Sequence, residues 1–144
     1  MTKSQLGQFY TRNSEYITQG LLTIFPAGAT IVDMFAGEMD LLRLVIDKHP
    51  VEAYDIDPRS EQVIRRDTLM NPPDYGIKWV MTNPPYLAKN KNKDKRIYQK
   101  WRSDDLYKAA ILSMMGCHGG VVVVPLNFWS SEDDEIRTKF LSEY

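Results

Sequence analysis

The sequence predicts an α/β fold, one domain built on a mainly parallel sheet of about five strands. Three observations carry that expectation. Short apolar runs recur at 30–34, 51–54, 79–82 and 121–124, the length and composition of strands buried on both faces. The first two strands reach a carboxylate at their ends, Asp33 and Asp55. The first also runs into Phe35-Ala36-Gly37-Glu38-Met39-Asp40 and then a stripe of Leu41, Leu42, Leu44, Val45 and Ile46. Strand, tight glycine turn and helix in that order open a doubly wound sheet.

Length and composition bound the rest. A chain of 144 residues with net charge −1 makes one domain with a sizeable core. No apolar run approaches the roughly 20 residues of a membrane span, and Met1-Thr2-Lys3-Ser4-Gln5 is no signal peptide, so a cytoplasmic protein without a membrane partner is expected. Cys117 is alone, which leaves no disulfide framework and no cysteine-built zinc site, and it reads as a small buried residue at a helix end. His49 and His118 have no Ser or Cys partner at a motif spacing, so triad chemistry is not expected, and no metal site is either. The near-zero charge neither favours nor excludes nucleic acid.

In chain order, Thr11 or Asn13 caps a first helix with apolar positions Ile17, Leu21, Leu22 and Phe25, ended by Pro26-Ala27-Gly28. The strand ending at Asp33 follows. Its glycine turn lacks the G-x-G-x-x-G of phosphate-binding dinucleotide sites. Next is the strand into Tyr54-Asp55-Ile56-Asp57-Pro58, where a carboxylate is placed to accept from ribose hydroxyls. Only Pro58-Arg59-Ser60-Glu61 separates it from Gln62-Val63-Ile64-Arg65-Arg66. Parallel crossovers normally take about a dozen residues, so the helix here is expected to be missing or vestigial and one sheet face thinly covered. Asn71-Pro72-Pro73-Asp74, with no strand leading into it, reads as a plain turn.

Trp79-Val80-Met81-Thr82 runs straight into Asn83-Pro84-Pro85-Tyr86. Two prolines fix two φ angles and give a rigid turn. Asn83 brings an amide that both accepts and donates, and Tyr86 brings an aromatic face. Such a turn suits the holding of a flat base by its exocyclic amine. A basic run follows: Lys89, Lys91, Lys93, Lys95, Arg96, Lys100 and Arg102, with Tyr98 and Trp101 interleaved. A solvated lysine loop is one reading; phosphate contacts around a target base, with the aromatics stacking or wedging, is the other. Asp104 and Asp105 open a helix, which runs through Ala109, Ala110, Leu112 and Met115 to Gly116. Gly119-Gly120 then turns into a buried strand, 121–125, and Ser131 with Asp134 resembles the capping box of a last helix.

Asn-Pro-Pro-Tyr after an apolar strand resembles the catalytic motif of S-adenosylmethionine-dependent amino-methyltransferases, above all the N6-adenine DNA methyltransferases of restriction-modification type. The other motifs fall in that family's order. Gly7-Gln8-Phe9-Tyr10-Thr11 is similar to the segment that borders the methionine end of the cofactor, with Arg12 where the family usually has Pro. Asp33, Phe35, Ala36 and Gly37 resemble the first cofactor motif, whose acid reaches the ammonium group; Met39 stands where a second small residue is usual. Asp55 with Ile56 resembles the ribose-binding position, and Asp67-Thr68-Leu69 the motif whose Asp accepts from the cofactor adenine. Gly-Gly-Val-Val-Val-Val-Pro with Phe128 resembles the fifth strand and its exit loop, where Phe128 or Trp129 lines the base pocket or packs in the core.

The resemblance implies a Rossmann-like class I methyltransferase sheet that lacks the usual C-terminal hairpin and target-recognition region, since Tyr144 falls where the next strand would begin. It implies S-adenosyl-L-methionine as cofactor, S-adenosyl-L-homocysteine as product and DNA as partner. A second chain or copy would complete the sheet edge or supply target recognition. Asn83 and Pro84 would accept the two hydrogens of a flipped adenine's amine, Pro85 would hold the turn rigid, and Tyr86 would stack on the base. The same turn also serves enzymes that methylate RNA or a protein glutamine, and a cofactor-binding subunit inactive without its partner is a further reading.

Overall fold

The computed structural model describes residues 16, 20–130 and 135–143. Five strands form one sheet: β1 (Ile31–Asp33), β2 (Val51–Asp55), β3 (Ile64–Arg65), β4 (Trp79–Thr82) and β5 (Gly119–Val122). Their order is β3-β2-β1-β4-β5, and every neighbouring pair is parallel. The chain is therefore an α/β protein with a Rossmann-like sheet. It winds outward from β1 to β3, then returns to place β4 on the other side of β1. That reversal puts a switch point between β1 and β4, where ligands of open α/β sheets bind.

β1 is the centre of the sheet, with Ile31 opposite both Val51 and Trp79. Its strictly apolar start reflects burial on both faces. Successive side chains alternate, so Ile31 and Met81 join Phe25, Leu42, Val45 and Ala53 on one face. Val32 and Val80 join Tyr98, Leu106, Ala109, Ala110 and Met114 on the other. Among the described residues the helices are α1 (Arg96–Trp101), α2 (Leu106–Met114), α3 (Asn127–Ser130) and α4 (Glu135–Glu143). Asp105 caps α2 from an extended backbone, accepting from the Tyr107 N–H, as an acid at that place should. No helix among the described residues is long and apolar enough to cross a membrane.

The structure revises several elements. The stripe after Gly37 does not build a full helix; it makes a single 3-10 turn, Leu42–Leu44. There, i to i−3 bonds such as Val45 N–H to Leu42 O alternate with i to i−4 bonds such as Ile46 N–H to Leu42 O. The β2–β3 connection carries turns and no helix, as its length requires, and leaves Ile56 and Ile64 exposed. β5 begins at Gly119 instead of after the two glycines. A Cβ on Gly119 would lie 2.8 Å from the Trp79 ring, and one on Gly120 would strike the Val80 carbonyl, so both glycines are strand residues that let β5 close on β4. The valines after them are half-buried, as an edge strand allows, where full burial was expected.

The basic run is also more ordered than a solvated loop. It forms a 3-10 turn, Lys89–Lys91, and then α1. Its aromatics face inward: Tyr98 donates to Leu87 O (2.9 Å) and Trp101 Nε1 to Leu69 O (2.7 Å). The Tyr98 ring is buried and not presented for stacking on a base, while Trp101 is half-buried. The expected caps Thr11, Asn13, Ser131 and Asp134 lie outside the described residues; Tyr16 is helical, and Leu22–Ile24 makes a 3-10 turn before Phe25.

Candidate active site

Because all five strands run the same way, their carboxyl ends gather Asp33, Asp55 and Asn83 along one edge, with Phe35–Gly37 and Asp67 in the loops that leave it. The glycine turn is fixed between neighbours. Ala36 N–H donates to Tyr54 O (2.9 Å), and Gly37 N–H donates to the Asp55 carboxylate at 2.9 Å. Gly37 has φ 52°, which glycine adopts at no steric cost. Met39, at the position of the missing small residue, also has φ 67°. A left-handed non-glycine costs about 1–2 kcal/mol; here its side chain is buried in the core, which offsets that cost.

Asp33 is the most perturbed carboxyl of the site. One oxygen, Oδ1, accepts both from Phe35 N–H (3.0 Å) and from the Thr82 hydroxyl (2.6 Å), tying the end of β1 to the end of β4. Burial pushes its pKa up to about 7; the two hydrogen bonds oppose that shift, and the Asp55 charge adds to it. Among the described residues no bond falls on its Oδ2. Asp55 is buried too, and its pKa is raised by that burial despite the Asp57 and Gly37 amides that it accepts from. Asp67 is half-buried and closes its own turn by accepting from Met70 N–H (3.0 Å).

The Asn-Pro-Pro-Tyr turn leaves β4 directly. Its two prolines are buried, and Asn83 and Tyr86 are half-buried. The Tyr86 hydroxyl stands 2.7 Å from Asn83 Oδ1 and 3.0 Å from Val123 O. Burial pushes its pKa up to about 12. Behind it, rings meet edge to face: Tyr86 on Tyr107, Tyr107 on Phe128, Phe128 on Phe140. Such contacts fix the ring planes. The chain after the turn is pinned by Asp105, which accepts from Leu87 N–H at 3.1 Å.

The structure thus brings Asp33, Phe35, Ala36, Gly37, Asp55, Asp67, Asn83, Pro84, Pro85 and Tyr86 to one edge. Ile56 is exposed beside Asp55. Thr68 and Leu69 do not offer their side chains: the Thr68 hydroxyl donates to Met34 O (3.1 Å), and Leu69 is buried in the core. Only their backbone remains for a ligand. Phe128 is 5 % exposed within the ring ladder, so it backs Tyr107 and does not line an opening; Trp129 is the exposed one. Tyr10 and Thr11 lie outside the described residues. Asn71-Pro72-Pro73-Asp74 is a turn, and its Asn71 and Pro72 carbonyls accept from Arg66.

The basic residues divide into two sets. Lys95 Nζ is folded back on the Lys89 and Asn92 carbonyls, and Arg96 is forked onto Asp94 (2.7 Å), whose pKa its hydrogen bonds lower to about 2. Lys89, Lys91 and Lys93 are exposed and make no ion pair among the described residues. Sequence reasoning missed Thr82 and Val123. Thr82 had a signal, a hydroxyl as the last residue of an apolar strand; Val123 acts through its carbonyl and had none.

The chemistry of this edge is selective. Its acids include Asp33, Asp55, Asp57 and Asp67, and they disfavour a phosphate. A cationic ligand that donates hydrogen bonds suits these acceptors, and a buried carboxyl such as Asp33 gains from a cation. Among the described residues no group of three or more His, Cys, Asp or Glu suits a metal ion. No family model and no curated protein matches the chain.

Proposed function

We propose that this chain is a methyltransferase domain that uses S-adenosyl-L-methionine to methylate the N6 amine of adenine in DNA. One observation carries the reading: the Asn83-Pro84-Pro85-Tyr86 turn leaves the sheet at the β1/β4 switch point, where the Thr82 hydroxyl touches Asp33 Oδ1 at 2.6 Å. An amide acceptor on a rigid turn is thereby set beside an acid suited to a cationic cofactor. Asp33 would hold the ammonium group, the Asp55 region the ribose, and Asp67 the adenine. When bound, the cofactor supplies an activated methyl on a sulfonium.

The chain's own residues do the rest. Asn83 Oδ1 and the Pro84 carbonyl accept the two amine hydrogens of the target base, which draws the nitrogen lone pair out of the ring. The Tyr86 ring lies against the base. No strong general base is needed, because the nitrogen loses its extra proton only once it is cationic. The acceleration comes from positioning and from acceptors held in place before the base arrives. Lys89, Lys91 and Lys93 contact phosphates flanking the flipped base.

The test is direct. The protein is incubated with S-adenosylmethionine and unmethylated DNA, digested to nucleosides and analysed for N6-methyladenosine by mass spectrometry. Its appearance is expected, and Asn83→Ala should abolish it while cofactor binding by calorimetry persists. Cofactor binding without DNA methylation would point to another amine substrate, in RNA or a glutamine side chain, or to a subunit that needs a partner. No cofactor binding at all would overturn the proposal.

A further inference from the structure

The Tyr86 hydroxyl faces a choice that its ring does not. It owns one proton, and among the described residues Asn83 Oδ1 at 2.7 Å and Val123 O at 3.0 Å lie within reach as acceptors. Stacking on a base would use only the ring, and phenylalanine would serve it equally well. The hydroxyl joins the turn after β4 to the exit of β5, and Val123 is itself fixed, its N–H donating to Thr82 O at 2.9 Å. The ring behind is set edge-on by Tyr107 at a centroid distance of 6.0 Å.

We infer that the Tyr86 hydroxyl is a positioning group for Asn83, holding the amide oxygen in place before a base arrives and handing it over when one does. The inference rests on the amine-methylating reading of the site. With no base bound, the O–H sits on Asn83 Oδ1 much as an amine N–H would, so the side chain is held in its working rotamer. When an amine hydrogen takes that oxygen, the hydroxyl proton turns to Val123 O. Neither state leaves the hydroxyl without an acceptor, so the exchange avoids the cost of stranding a buried polar group.

The experiment replaces Tyr86 alone with a ring-fluorinated tyrosine, which keeps the ring and its stacking but makes the phenol more acidic. Burial pushes the native phenol up to about 12, and fluorination lowers it from there. Two signals are followed across pH: the Asn83 side-chain amide, by nitrogen-15 NMR with Asn83→Asp for assignment, and methyl transfer. The ionised phenolate cannot donate to Asn83. The amide resonance should therefore titrate with the phenol, and kcat should fall about tenfold per pH unit above that pKa while KM for DNA stays within about twofold. Tyr86→Phe should show the same kcat loss, between about 10- and 100-fold, at every pH.

An amide signal that ignores the phenol's titration would overturn the inference. So would a titrating amide with an unmoved rate profile, because the contact would then be structural only. If the unmodified protein transfers no methyl group but the amide still titrates, the proposed function falls and the tie between Tyr86 and Asn83 stands.

Discussion

Replacing Asp33 with Asn separates what this side chain does for the fold from what it does for a ligand. In the native state its pKa is raised from 3.8 to about 7, chiefly by burial. The sign follows from proton counting. Between these values the folded protein holds a proton that the unfolded chain has released, so stability is greatest at low pH and falls as pH rises towards and through 7. At about 1.4 kcal/mol per pH unit, the span corresponds to roughly 4 kcal/mol lost by pH 8. Asparagine keeps an oxygen for the Phe35 N–H and the Thr82 hydroxyl and never ionises. Asp33→Asn should therefore match the wild type only below the unfolded value, exceed it by about 1–2 kcal/mol at pH 5, and exceed it by about 4 kcal/mol at pH 8. Burial also raises Asp55 and Asp105, in the same direction, so the quantity to measure is the difference between variant and wild type. Urea unfolding followed by tryptophan fluorescence at pH 5, 6, 7 and 8 gives it. The same variant should bind S-adenosylmethionine at least tenfold more weakly by calorimetry, because a cation loses its counter-charge. A pH-independent stability difference, or a less stable variant at pH 8, would refute the reasoning.

Other perturbations probe separate parts of the molecule. Met39→Gly relieves a left-handed backbone worth about 1–2 kcal/mol but deletes a buried side chain worth about 2–5 kcal/mol, so urea unfolding should show a net loss. Asp105→Ala removes the α2 cap and strands the Leu87 amide, which should cost about 2–4 kcal/mol in the same assay. Converting Lys89, Lys91 and Lys93 together to Gln should weaken DNA binding and flatten the slope of log K against log salt by about 2–3, one phosphate contact for each lysine. Lys95→Gln should leave that slope unchanged, since its ammonium group is spent on the Lys89 and Asn92 carbonyls.

Much of the fold was legible because parallel strands announce themselves. β1 and β4 are apolar runs and β2 is broken only by Glu52, and the acidic or amide ends mark where each strand stops. The four-residue link from Pro58 to Glu61 told of a missing helix by arithmetic alone. What stayed hidden depended on contacts between distant residues. The two glycines of β5 look like a turn until the Trp79 ring and the Val80 carbonyl are placed against them. Tyr98 looks like a stacking platform in a basic loop until its ring is seen buried and its hydroxyl on Leu87 O. Phe128 looks like a pocket wall until Tyr107 stands in front of it. Residue type showed which groups could do chemistry at the site, and only tertiary packing showed which of them face it.

The distribution of local cost points to the same edge of the sheet. At the amino ends of the strands the chain makes ordinary backbone bonds, Ile31 N–H to Pro50 O, Trp79 N–H to Thr30 O and His118 N–H to Lys78 O, with no buried acid among them. At the carboxyl ends it buries two carboxyls whose charge that burial disfavours, and the turn there holds a methionine in a conformation suited to glycine. Stability alone would favour asparagine at 33. Local conflicts of this kind gather at functional sites, where the fold carries them for the sake of a ligand. An ammonium group against Asp33 and hydroxyl donors against Asp55 would remove the conflict in both carboxyls, and neither a phosphate nor an apolar ligand would. The cost at this edge therefore argues for a cationic ligand that donates hydrogen bonds, independently of the four-residue turn beside it.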